Sequence, residues 1–296
     1  MNDAPARAMA GAPRPAPVPA KAKGWSAGFA AGRTRATLSA VLLPIAIIAA
    51  WQLAGTNGSL AGGVLPTPDR VWDAWVMWAF GPTGMGLNPY SGTWLDNVLF
   101  SASRVTQGFA LSMIVGIPVG IMIGWSPKVA GTVDPTIQLL RPIPITAWLP
   151  FSIAVFGIQD MGSVFLIALG GFYPVVVNAT HGARDVDRNW IRAARMMGAS
   201  RLDVLRRVVL PAAMPAIFTG LRIGLGIAWT AVIVSEMVAV KSGLGYVLWD
   251  AYYVGRMDVV IADMLSIGAM GLLSDRLIVT LEHWVLRWRR LQTASR

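Results

Sequence analysis

The sequence contains no cysteine and little charge, and both absences narrow what the protein can be. Without cysteine the chain has no disulfide, no thiolate nucleophile and no cysteine-based metal site. Charged residues make up 14% of the 296 residues and hydrophobic residues 55%, whereas a typical soluble domain has about 25% charged residues. The chain therefore lacks the polar cover that a water-facing surface requires.

Groups that could bind a metal ion or perform catalysis are also scarce. The two histidines, His181 and His283, lie far apart in the sequence, and neither has ligand-like neighbours. Only two glutamates are present, and the chain has no G-x4-G-K-[ST] loop that would hold phosphates. We therefore expect no metal site, no cofactor bound by this chain, no hydrolysis of ATP by the chain alone, and no enzymatic activity.

Long uncharged runs indicate that the chain crosses a membrane. Four runs without a charged residue are each 18 residues or longer, and about 18 apolar residues suffice to span the hydrocarbon core. The pattern predicts an all-α membrane protein with about six transmembrane helices. The predicted spans are 36–54, 103–125, 130–157, 160–181, 212–238 and 260–282.

Proline marks both the start of this membrane domain and a break within it. Residues 1–35 begin with an Ala- and Pro-rich stretch, which predicts a disordered tail before a transmembrane domain at 36–288, with a short C-terminal tail at 289–296. Proline lacks a backbone donor and clashes with the preceding helical turn, so the third span must be kinked or broken. Its prolines are Pro135, Pro142, Pro144 and Pro150.

Basic residues are distributed asymmetrically between the segments outside the spans. With a cytoplasmic N-terminus, the segments on that side hold 18 Lys and Arg residues and those on the other side hold three. Cytoplasmic loops carry such an excess, so both termini are predicted to lie in the cytoplasm. The net charge of +10 then reflects topology rather than nucleic-acid binding.

Small residues recur at every fourth position of the second span and predict close helix packing. They form one nearly flat face, on which the backbone of another helix can approach. Gly220, Gly224 and Gly226 suggest a similar face on the fifth span. The residues of the first face are Gly108, Ser112, Gly116, Gly120 and Gly124.

A short amphipathic helix is predicted in the segment that follows the first span. It begins after Leu65-Pro66-Thr67-Pro68 and contains Trp72, Trp75 and Trp78. Such a helix suits the headgroup region, and we interpret it as a loop helix with interfacial Trp anchors rather than a binding site.

The most informative segment is 189–211, which is too polar to span the membrane. Gly198 can take the left-handed conformation that ends a helix, and Ser200 can cap a second helix, with Asp203 in the capping-box position. Asp203 and Arg207 can pair at i,i+4. The segment thus predicts a helix–turn–helix, here called the elbow. It could lie on anionic lipid as a basic loop, or it could bind a soluble partner.

The elbow resembles the EAA loop of permease subunits in binding-protein-dependent ABC importers. The resemblance rests on Ala193-Ala194-x3-Gly198 and Val208-x-Leu210-Pro211, with Arg192 where the family usually has Glu. Segments 139–150, 218–224 and 242–245 look like the nitrate, sulfonate, taurine and bicarbonate branch of that family.

The resemblance implies a type I ABC importer permease fold in the bacterial cell (inner) membrane, and a coupling role for the elbow. It also implies a second permease copy as a homodimer, two cytosolic ATP-binding subunits that use ATP and Mg, and an extracytoplasmic substrate-binding protein. The residues implied in coupling to the ATPase are Arg192, Ala193, Ala194, Met197, Gly198, Ala199, Asp203, Leu210 and Pro211. The alternative is an ATP-independent carrier, with an intramembrane enzyme third.

Three charged residues within the spans are candidates for the substrate path. Arg141 and Arg222 lie toward the cytoplasmic half of the third and fifth spans, and Glu236 toward the outer end of the fifth. One interpretation is that they extend to lipid headgroups or form structural hydrogen bonds. The other is that the arginines line the path of a small oxyanion or related organic solute. Because the two arginines would repel each other, we expect a carboxylate, helix C-terminus or water nearby.

Overall fold

A computed structural model of the protein describes residues 42–56, 64–83 and 88–287, and the regular structure in these ranges is helical. The all-α fold class is therefore confirmed. The predicted tails at 1–35 and 289–296 lie outside the described residues. The helices are α1 (Leu42–Thr56), α2 (Pro68–Phe80), α3 (Trp94–Trp125), α4 (Pro127–Leu140), a 3-10 helix (Ile145–Trp148), α5 (Leu149–Phe156), α6 (Asp160–Arg184), α7 (Arg188–Met196), α8 (Arg201–Val204), a π turn (Leu205–Val209), α9 (Leu210–Ala239), α10 (Leu244–Tyr253) and α11 (Met257–Val285).

Four helices in the described ranges are long and apolar enough to cross a membrane. They are α3, α6, the continuous helix Arg201–Ala239 and α11. A fifth crossing is available if the two halves of the proline-rich span are counted as one, and α1 is a shorter apolar helix. The predicted total of six spans stays a prediction.

The proline-rich span is broken, as predicted. Helix α4 and the segment Ile145–Phe156 meet at an angle of 91°. Pro142 and Pro144 lie in the four-residue break between them, where the missing backbone donors interrupt the helical hydrogen bonds. The break leaves residues 141–145 as non-helical or 3-10 backbone beside α6.

At the core of the bundle α6 packs between α3 and α9, and small residues allow the helix backbones to approach closely. The predicted small-residue face of α3 lies against α6: a Cβ built on Gly120 would be 2.5 Å from the carbonyl oxygen of Val176. The hydroxyl of Ser112 donates to the carbonyl of Ala168 at 2.7 Å across the same interface. These contacts confirm close backbone approach.

The corresponding face of α9 is confirmed for two of its three glycines. Cβ atoms at Gly220 and Gly224 would lie 2.9 and 3.0 Å from carbonyl oxygens of Pro174 and Gly171 on α6, whereas a Cβ at Gly226 would meet nothing within 4 Å. Gly226 therefore points away from this contact, because it is two residues, about 200°, beyond Gly224 on the helix.

Two short helices lie at the end of the bundle opposite the elbow, here called the far end. The predicted amphipathic helix is α2, which begins at Pro68 and buries Trp78 while Trp72 stays exposed. It packs on α11, and its position in the headgroup region stays a prediction. Helix α10, which the sequence analysis did not identify, lies between α9 and α11.

Candidate functional site

The elbow has the predicted helix–turn–helix form, with Gly198 at its bend. Gly198 has φ of +83°, a conformation that residues with a Cβ rarely adopt. Its N–H donates to the carbonyl of Arg195 at 3.0 Å, and the N–H of Ala199 donates to the carbonyl of Ala194 at 3.0 Å. This pair of hydrogen bonds is the Schellman arrangement that ends a helix, so the predicted helix end is confirmed.

The second half of the elbow joins α9 without a gap. The Oγ of Ser200 accepts the N–H of Asp203 at 3.2 Å, and Asp203 lies 3.7 Å from the guanidinium of Arg207. Helix α8 then continues through the π turn Leu205–Val209 into α9, so that one helix runs from 201 to 239. The π turn lies just before Pro211, whose ring and missing N–H disturb regular α-helical bonding.

One side of the elbow is anchored to the bundle and the other is exposed. Ala194, Val204 and Val209 are buried in a small apolar core with Ala183 at the end of α6. On the opposite side, Met196 is 83% exposed, and Met197 and Leu202 are also exposed. An exposed apolar patch on a rigid support is typical of a surface that binds another protein.

The residues implied in coupling occupy both sides of this elbow. Ala194 belongs to the anchored side, while Arg192, Ala193, Met197 and Gly198 are exposed. The remaining members are half-buried at the turn or at the start of α9; they are Ala199, Asp203, Leu210 and Pro211.

Arg141 lies on a cavity of 370 Å³ between the break in the proline-rich span, α6 and α9. Tyr173 and Asn178 contribute polar atoms, and the other lining side chains are mainly Ile, Val and Pro. The amide nitrogen of Asn178 donates to the carbonyl of Pro174 at 2.8 Å. The described residues that line the cavity include no acidic side chain, and none of the described residues forms an ion pair with Arg141.

Arg222 has a carboxylate partner and lies outside this cavity. Its Nε and Nη2 atoms donate to the two carboxylate oxygens of Asp275 on α11 at 2.9 and 3.1 Å. The expected neighbouring carboxylate is thus Asp275, which pairs with Arg222 rather than with its sequence neighbour Arg276. The structure therefore does not bring Arg141 and Arg222 to one site.

Glu236 is fully buried at the far end of α9 and accepts hydrogen bonds from three groups. Its carboxylate accepts the hydroxyl of Ser101 at 2.8 Å, Nη1 of Arg104 at 2.7 Å and the backbone N–H of Gly245 at 2.9 Å. The Ser101 oxygen in turn accepts the N–H of Leu244 at 2.8 Å. Glu236 therefore connects α9, α3 and the start of α10.

Arg104 is the centre of this group of polar side chains. Besides Glu236, it donates through Nε to Asp160 at 2.8 Å, and through Nη1 and Nη2 to the carbonyl and hydroxyl of Ser242 at 2.8 and 2.7 Å. Each guanidinium nitrogen has an acceptor, although Arg104 itself is almost fully buried. We call Ser101, Arg104, Asp160, Glu236 and Ser242 the ion cluster.

Comparisons with known proteins decide the family. A family model described as "Binding-protein-dependent transport system inner membrane component" matches residues 116–287. The chain belongs to this family. An ABC transporter permease protein of Methanocaldococcus jannaschii is 44% identical over 68% of this chain and 76% of its own length. The bicarbonate transport system permease CmpB of Synechococcus elongatus is 35% identical over 86% of this chain and 92% of its own.

Other relatives and a solved structure agree with this assignment. Permeases named for aliphatic sulfonates, nitrate and taurine are 32 to 35% identical to this chain. An inward-facing structure of the MetNI methionine ABC transporter matches with a TM-score of 0.58 at 18% identity, over 64% of this chain and 95% of the matched one, which shows a common fold.

The protein is therefore the permease subunit of an ABC importer, as the resemblance implied. It is a multi-pass membrane protein that works with ATPase and substrate-binding partners, and it is not itself an enzyme. The relatives give no support to the alternative of an ATP-independent carrier.

Sequence reasoning about the permease did not identify the ion cluster. Neither Arg104 nor Asp160 is among the candidate residues that the sequence indicated. A usable signal was present: Arg104 lies one residue after the start of the predicted span 103–125, and Glu236 lies two residues before the end of the predicted span 212–238. Opposite charges at the same predicted depth of two antiparallel spans indicate a pair, since an unpaired charge there is costly.

Removing the arginine of the cluster should destabilise the permease strongly. Arg104→Met leaves the Glu236 carboxylate buried without its cationic partner, and breaking such a pair costs about 3–5 kcal/mol. Thermal unfolding in mild detergent, followed by size-exclusion chromatography, measures the loss. The double variant with Glu236→Gln should recover part of it.

A matched control is Arg184→Met, which breaks the more exposed pair with Asp134 at 3.0 Å. Such a pair contributes at most about 1 kcal/mol. Equal losses for Arg104→Met and Arg184→Met would contradict the stabilising role of the cluster.

Proposed function

We propose that this permease forms the membrane path for a small oxyanion or a related organic anion. The observation that carries the proposal is the cavity at Arg141, where a guanidinium without an ionic partner among the described residues faces a lining that has no acidic side chain. A fixed positive charge in a narrow path lowers the barrier for an anion. Relatives named for bicarbonate, nitrate, sulfonate and taurine transport support the same class of substrate.

The cavity suits an anion in a further respect. Tyr173 and Asn178 offer hydrogen-bonding groups near Arg141, whereas Ile223 and Ile227 of α9 make the remaining wall apolar. A few polar groups in a mainly apolar cavity orient a small solute without holding it tightly. By contrast, Arg222 is paired with Asp275 and Glu236 is enclosed in the ion cluster, so we assign to both a role beside the path rather than in it.

The proposed complex contains two copies of this chain, two cytosolic ATP-binding subunits and an extracytoplasmic substrate-binding protein. ATP and Mg would be held by the ATP-binding subunits. The exposed apolar side chains at the elbow tip, Met196, Met197 and Leu202, support docking of a soluble partner there. The buried core that joins the elbow to α6 supports transmission of the partner's motion to the bundle.

We further propose that the elbow and both termini are cytoplasmic and that the far end is extracytoplasmic, in the cell (inner) membrane. The excess of 18 Lys and Arg residues over three supports this orientation. The elbow precedes α9 and α10 follows it, so the two lie at opposite ends of a 30-residue helix, about 45 Å apart.

Gly198→Val should uncouple ATP hydrolysis from transport while the chain still inserts into the membrane. Valine is strained at φ of +83°, so the bend would change. The matched control is Gly198→Asn, because Asn tolerates this conformation and a Cβ there would meet nothing within 4 Å. The measurement is ATP hydrolysis and substrate uptake in proteoliposomes with the ATPase and binding protein. Normal coupling in Gly198→Val would argue against the coupling role.

Arg141→Gln should slow substrate uptake by roughly tenfold, equivalent to about 1.4 kcal/mol of lost attraction for the anion. Uptake is measured in the same proteoliposomes with whichever of bicarbonate, nitrate, taurine and an alkanesulfonate the wild-type complex imports, and assembly is checked in parallel. Lys128→Gln, an exposed residue of α4 outside the cavity, is the control for loss of charge. If Arg141→Gln and Lys128→Gln transport equally well, Arg141 does not act in the path.

The orientation can be tested by labelling, because the natural chain has no cysteine. A cysteine at Tyr253, which is 70% exposed at the end of α10, should react in intact cells with an impermeant thiol reagent. A cysteine at Met197 should react only after the membrane is opened. Ala251, which is on α10 like Tyr253, is buried, so a cysteine there would be a poorer labelling site. The reverse labelling pattern would overturn the orientation.

A further inference from the structure

Asp263 is a buried acid on α11 that has no part in the transport path proposed above. Its side chain is fully buried at the far end of the bundle. Neither carboxyl oxygen has a hydrogen-bond partner among the described residues. Buried polar groups are almost always hydrogen-bonded, so this carboxyl requires an explanation.

The neighbouring charges do not provide Asp263 with a partner. The charged group that interacts with Asp263 is Glu236, and two negative carboxylates would repel each other. Arg104 is the nearest cation to Glu236, but each of its nitrogens already has an acceptor in the ion cluster. The guanidinium of Arg104 therefore has no free nitrogen to offer to a second buried carboxylate.

The other helices packed against α11 offer no compensating charge either. On α2, the charged residues Asp69, Arg70 and Asp73 are on the exposed face. On α10, Asp250 accepts a hydrogen bond from the hydroxyl of Tyr90 at 2.7 Å. Burial and this hydrogen bond raise the pKa of Tyr90 above its usual range, so the phenol stays neutral.

We propose that Asp263 is a proton-binding site that is occupied while the far end is closed. An ionised carboxylate without a partner is very unfavourable inside a protein, and the group takes up a proton instead. A metal ion would need several ligands, and no group of three acidic or histidine side chains suited to one occurs among the described residues. Two carboxyls, one of them already saturated with donors, can hold a proton but supply too few ligands for a metal ion.

The site has a consequence for opening of the far end, which goes beyond the proposed transport function. Separation of α11 from α9 and α10 would let water reach Asp263, and the hydrated carboxyl would ionise. The closed form thus holds one proton more than the open form. Proton binding therefore stabilises the closed form relative to the open form at low pH, and this stabilisation is lost as the pH rises. The ratio of open to closed molecules should increase by up to about tenfold per pH unit.

The first test is infrared spectroscopy of the purified permease at neutral pH. A protonated carboxylic acid has a carbonyl stretching band that is distinct from carboxylate bands and shifts in heavy water. We expect such a band in the natural chain, its loss in Asp263→Asn, and no change in Asp96→Asn, an exposed acid of α3. Identical spectra for the natural chain and Asp263→Asn would overturn the proposal. This measurement does not depend on the identity of the substrate.

The second test measures opening directly in the complete transporter in proteoliposomes. A cysteine at Val247, which is buried on α10, reports exposure of the far end, and a cysteine at exposed Lys241 corrects for ionisation of the thiol itself. The ratio of their labelling rates should rise with pH. It should not depend on pH when Asp263 is replaced by Asn, or by Leu if the first variant folds poorly. A rise that persists in these variants would assign the pH dependence to another group.

Discussion

The close contact of α6 with α3 on one side and α9 on the other determines where the functional side chains lie. At Gly120 and Gly224 the helix backbones approach so closely that a Cβ would meet a carbonyl oxygen of α6. In a membrane, where apolar side chains gain little by leaving lipid, such contacts replace the hydrophobic effect as the source of helix association. They also place Asp160 of α6 beside Arg104, and the other end of α6 against the elbow.

Within this arrangement Arg104, Arg141 and Arg222, which are three of the four arginines in the predicted spans, have three different environments. An arginine in the middle of a membrane helix costs about 2.5–3.5 kcal/mol on insertion scales, so each needs compensation. Arg104 is compensated completely by the ion cluster and Arg222 by Asp275. Arg141 has neither kind of partner among the described residues and borders a cavity. Of the three, it is the arginine left available to a mobile anion.

Local signals in the sequence predicted much of the fold and the elbow. The bend at Gly198, the cap at Ser200, the small-residue face of α3 and the break near Pro142 all depend on neighbours along the chain, which a pattern can record. The ion cluster and the separation of Arg141 from Arg222 depend on which faces of distant helices meet. Hydropathy places a charge at a depth but does not give its direction around the helix, and so Asp160 and Asp275 were not assigned their partners Arg104 and Arg222.

The continuity of the helix from Arg201 to Ala239 has a consequence for how this chain can evolve. The second half of the elbow and Glu236 are parts of one continuous helix, so their angular relation is fixed by the number of residues between them. Inserting or deleting one residue in α9 would rotate Glu236 by about 100° relative to the elbow and shift it by about 1.5 Å along the axis. Substitutions in this segment can be absorbed one by one, whereas a change in its length would separate Glu236 from Arg104 or turn the elbow away from its partner.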